Sequence, residues 1–130
     1  MLGTERLASK DVTATIAVKD LEKAKEFYER TLGLTPLDSE ESEALTYRSG
    51  HTTVLVYRSQ YAGTNRATAA TWNVGHDVEN VVDSLRKNGV RFEHYDLPGM
   101  TLEGDVHKAE HMKAAWFKDP DGNILGLVGD

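Results

Sequence analysis

The sequence predicts an α+β domain built from two similar halves, each with the order β-α-β-β-β. Its length of 130 residues suits one domain with a buried core. Short β-branched runs and amphipathic helical patterns follow one another along the chain. The same order of patterns occurs twice, once around Asp20 and again around Asp77, which is an internal duplication.

The first half, residues 11–58, begins with a β-branched run at 12–18. Apolar residues then recur at helical spacing, at Leu21, Ala24, Phe27, Tyr28 and Leu32. Asp20 is placed to cap this helix, and Gly33 can take the left-handed conformation that ends it. Three more strands are predicted at 34–38, 44–48 and 52–58.

The second half, residues 67–129, repeats this order from a strand-like run at 67–74. Its helical pattern consists of Val78, Val81, Val82 and Leu85. Asp77 is placed as the cap of this helix and Gly89 as its end. Three more strands are predicted at 91–96, 113–118 and 123–128.

Two segments lie outside the duplication. Residues 59–66 are interpreted as the linker between the halves. Residues 97–112 contain Pro98, Gly99 and Gly104, which argue against a buried regular element. The same segment carries apolar and polarizable side chains, including Met100 and His111, so we expect a mobile flap over a site.

Composition excludes several classes of protein. The chain has no cysteine, which excludes disulfide scaffolds, zinc ribbons and thiolate nucleophiles. A net charge of −6 argues against nucleic acid as a partner. The longest uncharged stretches, such as 67–75, are too short to span a membrane. We expect a soluble, cytoplasmic protein.

Two motifs resemble the vicinal oxygen chelate superfamily, which contains glyoxalase I, bleomycin resistance proteins and extradiol dioxygenases. VKDLEKAKEFY at 18–28, followed by LGL at 32–34, resembles the opening of this fold, and FKDPDGN at 117–123 resembles its closing hairpin. The resemblance covers residues 11–129. It implies two β-α-β-β-β modules whose curved, mixed sheets enclose a cleft, often completed across a homodimer.

Catalytic members of this superfamily bind a divalent metal in the cleft through imidazole, glutamine and carboxylate ligands. Carried over to this chain, the ligand positions hold Thr13, then Ala70 (or Ala69 if one residue is inserted before Asp77), and Gly126. None of these side chains is a metal ligand of the expected kind. We therefore expect no metal cofactor and no catalytic residue at these positions.

Small residues at these positions leave room for an organic molecule. We expect it to be aromatic or amphipathic, because aromatic side chains on the strands can line the cleft. The candidate ligand-binding residues are Thr13, Thr15, Tyr47, Tyr57, Trp72, Met100, His111, Trp116 and Gly126.

These observations favour a metal-free binding protein of the bleomycin-resistance type, acting as a homodimer. The alternative is a metal-dependent lyase, isomerase or dioxygenase with a displaced site built from His107 and His111. A metal-free enzyme stays open as a third reading. The sequence does not name the ligand.

Overall fold

A computed structural model describes residues 7–38 and 43–130. A short 3-10 turn, Leu7–Ser9, precedes the first module. The first module contains β1 (Ala14–Val18), α1 (Leu21–Lys25, continued by a π-helical segment at Glu26–Thr31), β2 (Thr35–Leu37), β3 (Ala44–Ser49) and β4 (Thr52–Arg58). The second contains β5 (Thr68–Gly75), α2 (Val78–Lys87), β6 (Phe92–Glu93), β7 (Thr101–Glu103), β8 (Val106–Lys108), β9 (Lys113–Lys118) and β10 (Ile124–Gly129).

Each module forms one mixed sheet. Sheet A has the strand order β1-β4-β3-β2, in which β1 and β4 are parallel and the other pairs are antiparallel. Sheet B has the order β5-β10-β9-β8-β7, with β6 also paired to β9 and only β5 and β10 parallel. The predicted α+β fold with two mixed sheets is confirmed, and the second module adds β7 and β8 to the predicted β-α-β-β-β order.

One core holds both modules together. Sheet A contributes alternate residues on one face, such as Ile16 and Val56. Sheet B contributes the residues on the face that carries Phe117 and Leu125. Both helices pack on these faces. Because residues alternate along a strand, the opposite face of each sheet points away from this core, and it is referred to as the open face of that sheet.

The first helix begins as predicted. The Asp20 carboxylate accepts hydrogen bonds from the backbone N–H groups of Glu22 (3.0 Å) and Lys23 (3.2 Å). The corresponding prediction for Asp77 is wrong, because its side chain makes no capping bond to α2. Gly33 and Gly89 both have positive φ, as expected for residues that end helices.

The segment at 97–112 contains regular structure, which corrects the prediction of an irregular flap. Strands β7 and β8 form a hairpin across Gly104 and add two strands to sheet B. Val106 and His107 of β8 are 4% and 1% exposed. Gly104 and Asp105 form the turn between these two strands. A Gly-Asp pair between short strand-like runs is typical of a hairpin, and the prediction of an irregular segment did not use this local signal.

The closing hairpin ties the second module to the first. The Asp119 carboxylate is 5% exposed and accepts a hydrogen bond of 2.7 Å from the hydroxyl of Tyr28 on the first helix. Asn123 donates to the carbonyl of Ala17 on β1 (2.7 Å). The linker packs on the same hairpin at Gly63, where a Cβ would overlap the carbonyl of Asp121. The DPDGN motif is therefore a structural joint.

Candidate functional site

The open face of sheet A is rich in hydroxyl groups. Thr13 and Thr53 bring their hydroxyls within 3.1 Å of each other. Thr15 follows Thr13 on the same face, and Tyr57 lies further along β4 with 38% of its surface exposed. The structure thus places the sequence-predicted residues Thr13, Thr15 and Tyr57 together on this face.

The open face of sheet B centres on Gly126 and Trp116, which are direct partners in the β9–β10 ladder. A Cβ at Gly126 would lie 3.2 Å from Trp116 Nε1 and 3.3 Å from Trp116 Cδ1. The indole ring therefore lies over the glycine, in space that any larger side chain would need. Thr71 is the partner of Gly126 on the other side and shares this face.

Two further rings hold the Trp116 indole. Tyr95 contacts it edge-on at 5.5 Å between ring centroids, and His107 does so at 4.9 Å. Tyr95 also stacks on His107 at 6.1 Å. Edge-to-face arrangements at these distances are favourable for aromatic pairs. These three rings, Tyr95, His107 and Trp116, are called the aromatic cluster below.

His107 is the most enclosed member of the aromatic cluster. Its Nε2 accepts a hydrogen bond of 2.9 Å from the backbone N–H of Tyr95. The ring proton of a neutral imidazole in this arrangement is therefore on Nδ1. Nδ1 is buried and has no hydrogen-bond partner among the residues that the structure describes.

Burial, followed by the nearby Glu93 carboxylate, raises the pKa of the Tyr95 phenol.

The sequence reasoning missed Tyr95 and Thr71. Tyr95 follows the two-residue strand β6, and it reaches Trp116 only because β6 pairs with β9. Thr71 was overlooked because counting back from Asp77 along β5 pointed to Ala70 or Ala69 as the position that faces the cleft. Thr71 is the direct ladder partner of Gly126 and therefore lies on the same face of sheet B, so the pairing of β5 with β10 identifies it.

Trp72 and Ala70 lie on the opposite face of sheet B from Gly126, so the structure does not bring Trp72 together with Gly126 and Trp116. Leu127, the partner of Trp72 in the ladder, is 3% exposed and belongs to the core. The indole N–H of Trp72 donates to the Ser49 hydroxyl at 2.8 Å and so bridges the two modules. Two cavities of about 180 Å³ each border this pair.

The expectation that Tyr47 lines a cleft is wrong, because Tyr47 is 1% exposed in the core. Its hydroxyl donates to Glu29 at 2.9 Å. Met100 is half-buried just before β7. His111 lies in the turn between β8 and β9, where its side chain is 89% exposed and 3.6 Å from Glu110. His107 and His111 therefore do not form a pair of ligands.

The sequence matches the Glyoxalase/Bleomycin resistance protein/Dioxygenase superfamily over residues 11–127. The chain belongs to this superfamily. No curated protein matches it in sequence. No helix within residues 7–38 and 43–130 is long and apolar enough to cross a membrane.

Several solved structures of this superfamily are similar to the chain. A lactoylglutathione lyase from Agrobacterium tumefaciens has 15% identity and a TM-score of 0.69, with 93% of each chain covered. A glyoxalase/bleomycin resistance protein/dioxygenase from Alicyclobacillus acidocaldarius has 17% identity and a TM-score of 0.69, covering 93% of this chain and 91% of the other. The fosfomycin resistance protein FosX from Listeria monocytogenes has 12% identity and a TM-score of 0.63, with 94% and 91% covered. At these identities the likeness concerns the fold.

The residues at the superfamily's metal positions do not fit a divalent cation. Thr13 offers one hydroxyl, Ala70 faces the core, and Gly126 has no side chain. Ala69, the other candidate on β5, is the extra residue where the pairing with β10 shifts. Within the described part of the chain, no three histidine, cysteine, aspartate or glutamate side chains are grouped as a metal site. A divalent cation requires several such donors.

Proposed function

We propose that this protein binds a small aromatic or amphipathic molecule on the open face of sheet B, without making or breaking a bond in it. The contact surface is the partly exposed Trp116 ring together with the exposed Thr71 hydroxyl, which flank Gly126. Aromatic rings supply apolar contact area, and the indole N–H and threonine hydroxyl supply polar contacts that orient a ligand.

The observation that carries this proposal is the position of the Trp116 indole over Gly126. A Cβ at position 126 would lie 3.2 Å from Trp116 Nε1, so a side chain there would require this ring to move. The rigid support from Tyr95 and His107 fits a recognition surface, since binding is stronger when the contact groups are already held in place.

The rival hypothesis is a metal-dependent lyase, isomerase or dioxygenase with a displaced site. It requires His107 and His111 to act together. His107 is enclosed with its Nε2 already bonded, whereas His111 projects into solvent. This arrangement favours the binding protein.

A homodimer is part of the proposal. Sheets A and B each leave one face open, and a second copy would cover these faces and enclose the ligand. Sedimentation at micromolar protein concentration should show a dimer, and a monomer would contradict this part of the proposal.

A cytoplasmic location also stays a prediction.

Metal analysis of protein purified without chelator tests the central claim. We expect no stoichiometric divalent ion, and a small molecule co-purifying with the wild type should appear by mass spectrometry. Trp116→Ala should lose this molecule, whereas the matched variant Trp72→Phe, on the core face, should retain it. A stoichiometric ion that is lost on substitution of Thr13 or His111 would refute the proposal.

A further inference from the structure

We propose that a cavity between the two modules is a second binding site, which takes a neutral aromatic molecule of one ring. The cavity is lined by Trp72, on the opposite face of sheet B from Trp116 and Gly126. It is therefore separate from the open face of sheet B, and this inference does not depend on the proposed function. The space is called the inter-module cavity below.

Both modules supply walls of the inter-module cavity. Leu32 and Leu34, between α1 and β2, come from the first module. Val81 and Leu85 come from α2 of the second module. Phe117 of β9 also lines the cavity and is 1% exposed. A molecule bound here would thus contact both halves of the chain.

The lining of the inter-module cavity is apolar except for the Ser49 hydroxyl and the indole N–H of Trp72. No charged side chain of residues 7–38 and 43–130 lines it. Moving a charge from water into such surroundings without a partner is costly. The cavity therefore selects a neutral ligand.

The volume of the inter-module cavity, about 180 Å³, sets the size of the ligand. An apolar cavity of roughly 150 Å³ in a protein core can hold benzene. Pockets for drug-sized ligands are larger, at about 300–1,000 Å³. The inter-module cavity therefore suits a single six-membered ring.

Two aromatic side chains favour an aromatic ligand over an aliphatic one. Phe117 and Trp72 come from different strands, β9 and β5, and both line the inter-module cavity. Aromatic pairs in edge-to-face or offset arrangements are stabilised beyond the effect of the apolar area that they bury. A planar ring can form such contacts with either side chain.

Trp72 limits the ligand to one ring. A second cavity of about 180 Å³ lies beside the first, and in the described part of the chain the two linings share only Ser49 and Trp72. The Trp72 N–H donates to the Ser49 hydroxyl at 2.8 Å, which holds the indole between the two cavities. Shortening the Trp72 side chain would therefore join the cavities and admit a larger molecule.

Isothermal titration calorimetry with benzene, benzoate and indole tests this site in the wild type and in Trp116→Ala. The variant removes the aromatic ring of the open face and leaves Trp72 as the only tryptophan. We expect both proteins to bind one benzene per chain, at least about tenfold more tightly than benzoate or indole. Benzene should also change the Trp72 emission of Trp116→Ala, because Trp72 lines the cavity.

Three further substitutions, each made in Trp116→Ala, locate the bound benzene. Val81→Phe puts a ring of its own into the inter-module cavity and should weaken benzene binding at least about tenfold. Val128→Phe is the matched control, since Val128 is two residues from Gly126 on the open face of sheet B, and it should bind benzene like its parent. Trp72→Ala should bind indole at least as tightly as benzene.

The outcomes separate this inference from the proposed function. Benzene binding by Trp116→Ala supports the inter-module cavity whether or not the open face of sheet B binds a ligand. The inference is overturned if the wild type binds no benzene, a result that requires no variant to fold, or if benzoate binds as tightly as benzene. It is also overturned if Val81→Phe, with a melting temperature equal to that of Val128→Phe, binds benzene equally well. If Trp72→Ala still excludes indole, the size limit assigned to Trp72 is wrong.

Discussion

The buried hydrogen bond between Tyr28 and Asp119 joins the two modules and should contribute measurably to the free energy of unfolding. Tyr28 is fully buried, and its hydroxyl donates to the Asp119 carboxylate at 2.7 Å. Burial, followed by the charge of Asp119, raises the pKa of the Tyr28 phenol, which therefore remains a donor at neutral pH. We predict that Tyr28→Phe weakens the contact between the two modules.

The size of this effect follows from the bonding of Asp119. A hydrogen bond to a charged group contributes about 1.5–3 kcal/mol. Asp119 also accepts from the backbone N–H of Asp121 (3.0 Å) and from the backbone N–H and side-chain amide of Asn123 (both 2.8 Å). Because these bonds remain in Tyr28→Phe, the carboxylate is not left without partners. We expect a loss of about 2 kcal/mol, which is a fall in Tm of about 8 °C for a chain of this size.

Thermal and urea unfolding followed by circular dichroism measure this loss. Tyr47→Phe is the matched control, since Tyr47 is equally buried and donates to Glu29 at 2.9 Å. Glu29 is only partly buried and can be rehydrated, so this variant should lose about 1 kcal/mol or less. The reasoning is refuted if Tyr28→Phe lies within about 0.5 kcal/mol of the wild type, or costs no more than Tyr47→Phe.

Three further predictions test other contacts. Asp20→Ala should cost about 1 kcal/mol in urea unfolding and Asp77→Ala close to nothing, because only Asp20 caps its helix; equal losses would contradict this. The hydrogen bond from His94, followed by the Arg86 ion pair, holds the pKa of Asp105 below its ordinary value. The ionised Asp105 carboxylate therefore stabilises the folded protein above the unfolded-state pKa of about 3.9, and this stabilisation is lost as the pH falls through the lower folded pKa. We expect the difference in Tm between wild type and Asp105→Asn to shrink below about pH 4. Ser49→Ala removes the acceptor of the Trp72 N–H and should change the Trp72 emission in a Trp116→Phe background, while an unchanged spectrum would show that the bond is absent in solution.

Local patterns predicted the elements of this fold well. The strands predicted at 52–58 and 113–118 match β4 and β9 residue for residue. Alternation and β-branched residues are properties of consecutive residues, so they are visible without knowledge of the partner strand. The hairpin of β7 and β8 was missed because its strands are three residues long and show little alternation.

The face on which Trp72 lies was decided by tertiary structure. The pairing of β5 with β10 shifts between Ile124 and Leu125 and again between Val128 and Gly129. Each shift changes the relation between position in the sequence and face of the sheet. Counting back from Asp77 along β5 crosses the second of these shifts, so Ala70, one of the two positions expected from that count, lies on the core face, whereas Thr71 shares the open face with Gly126.

The sequence by itself determined the two-module fold and the lack of metal ligands at Thr13 and Gly126, because side-chain chemistry belongs to the residue wherever it folds. Only the tertiary structure decided that Trp116 covers Gly126, and that Tyr95 and His107 hold the Trp116 ring. These contacts depend on the register of β6, β8 and β10 against β9. That register is set by packing between residues distant in the chain, which local periodicity does not encode.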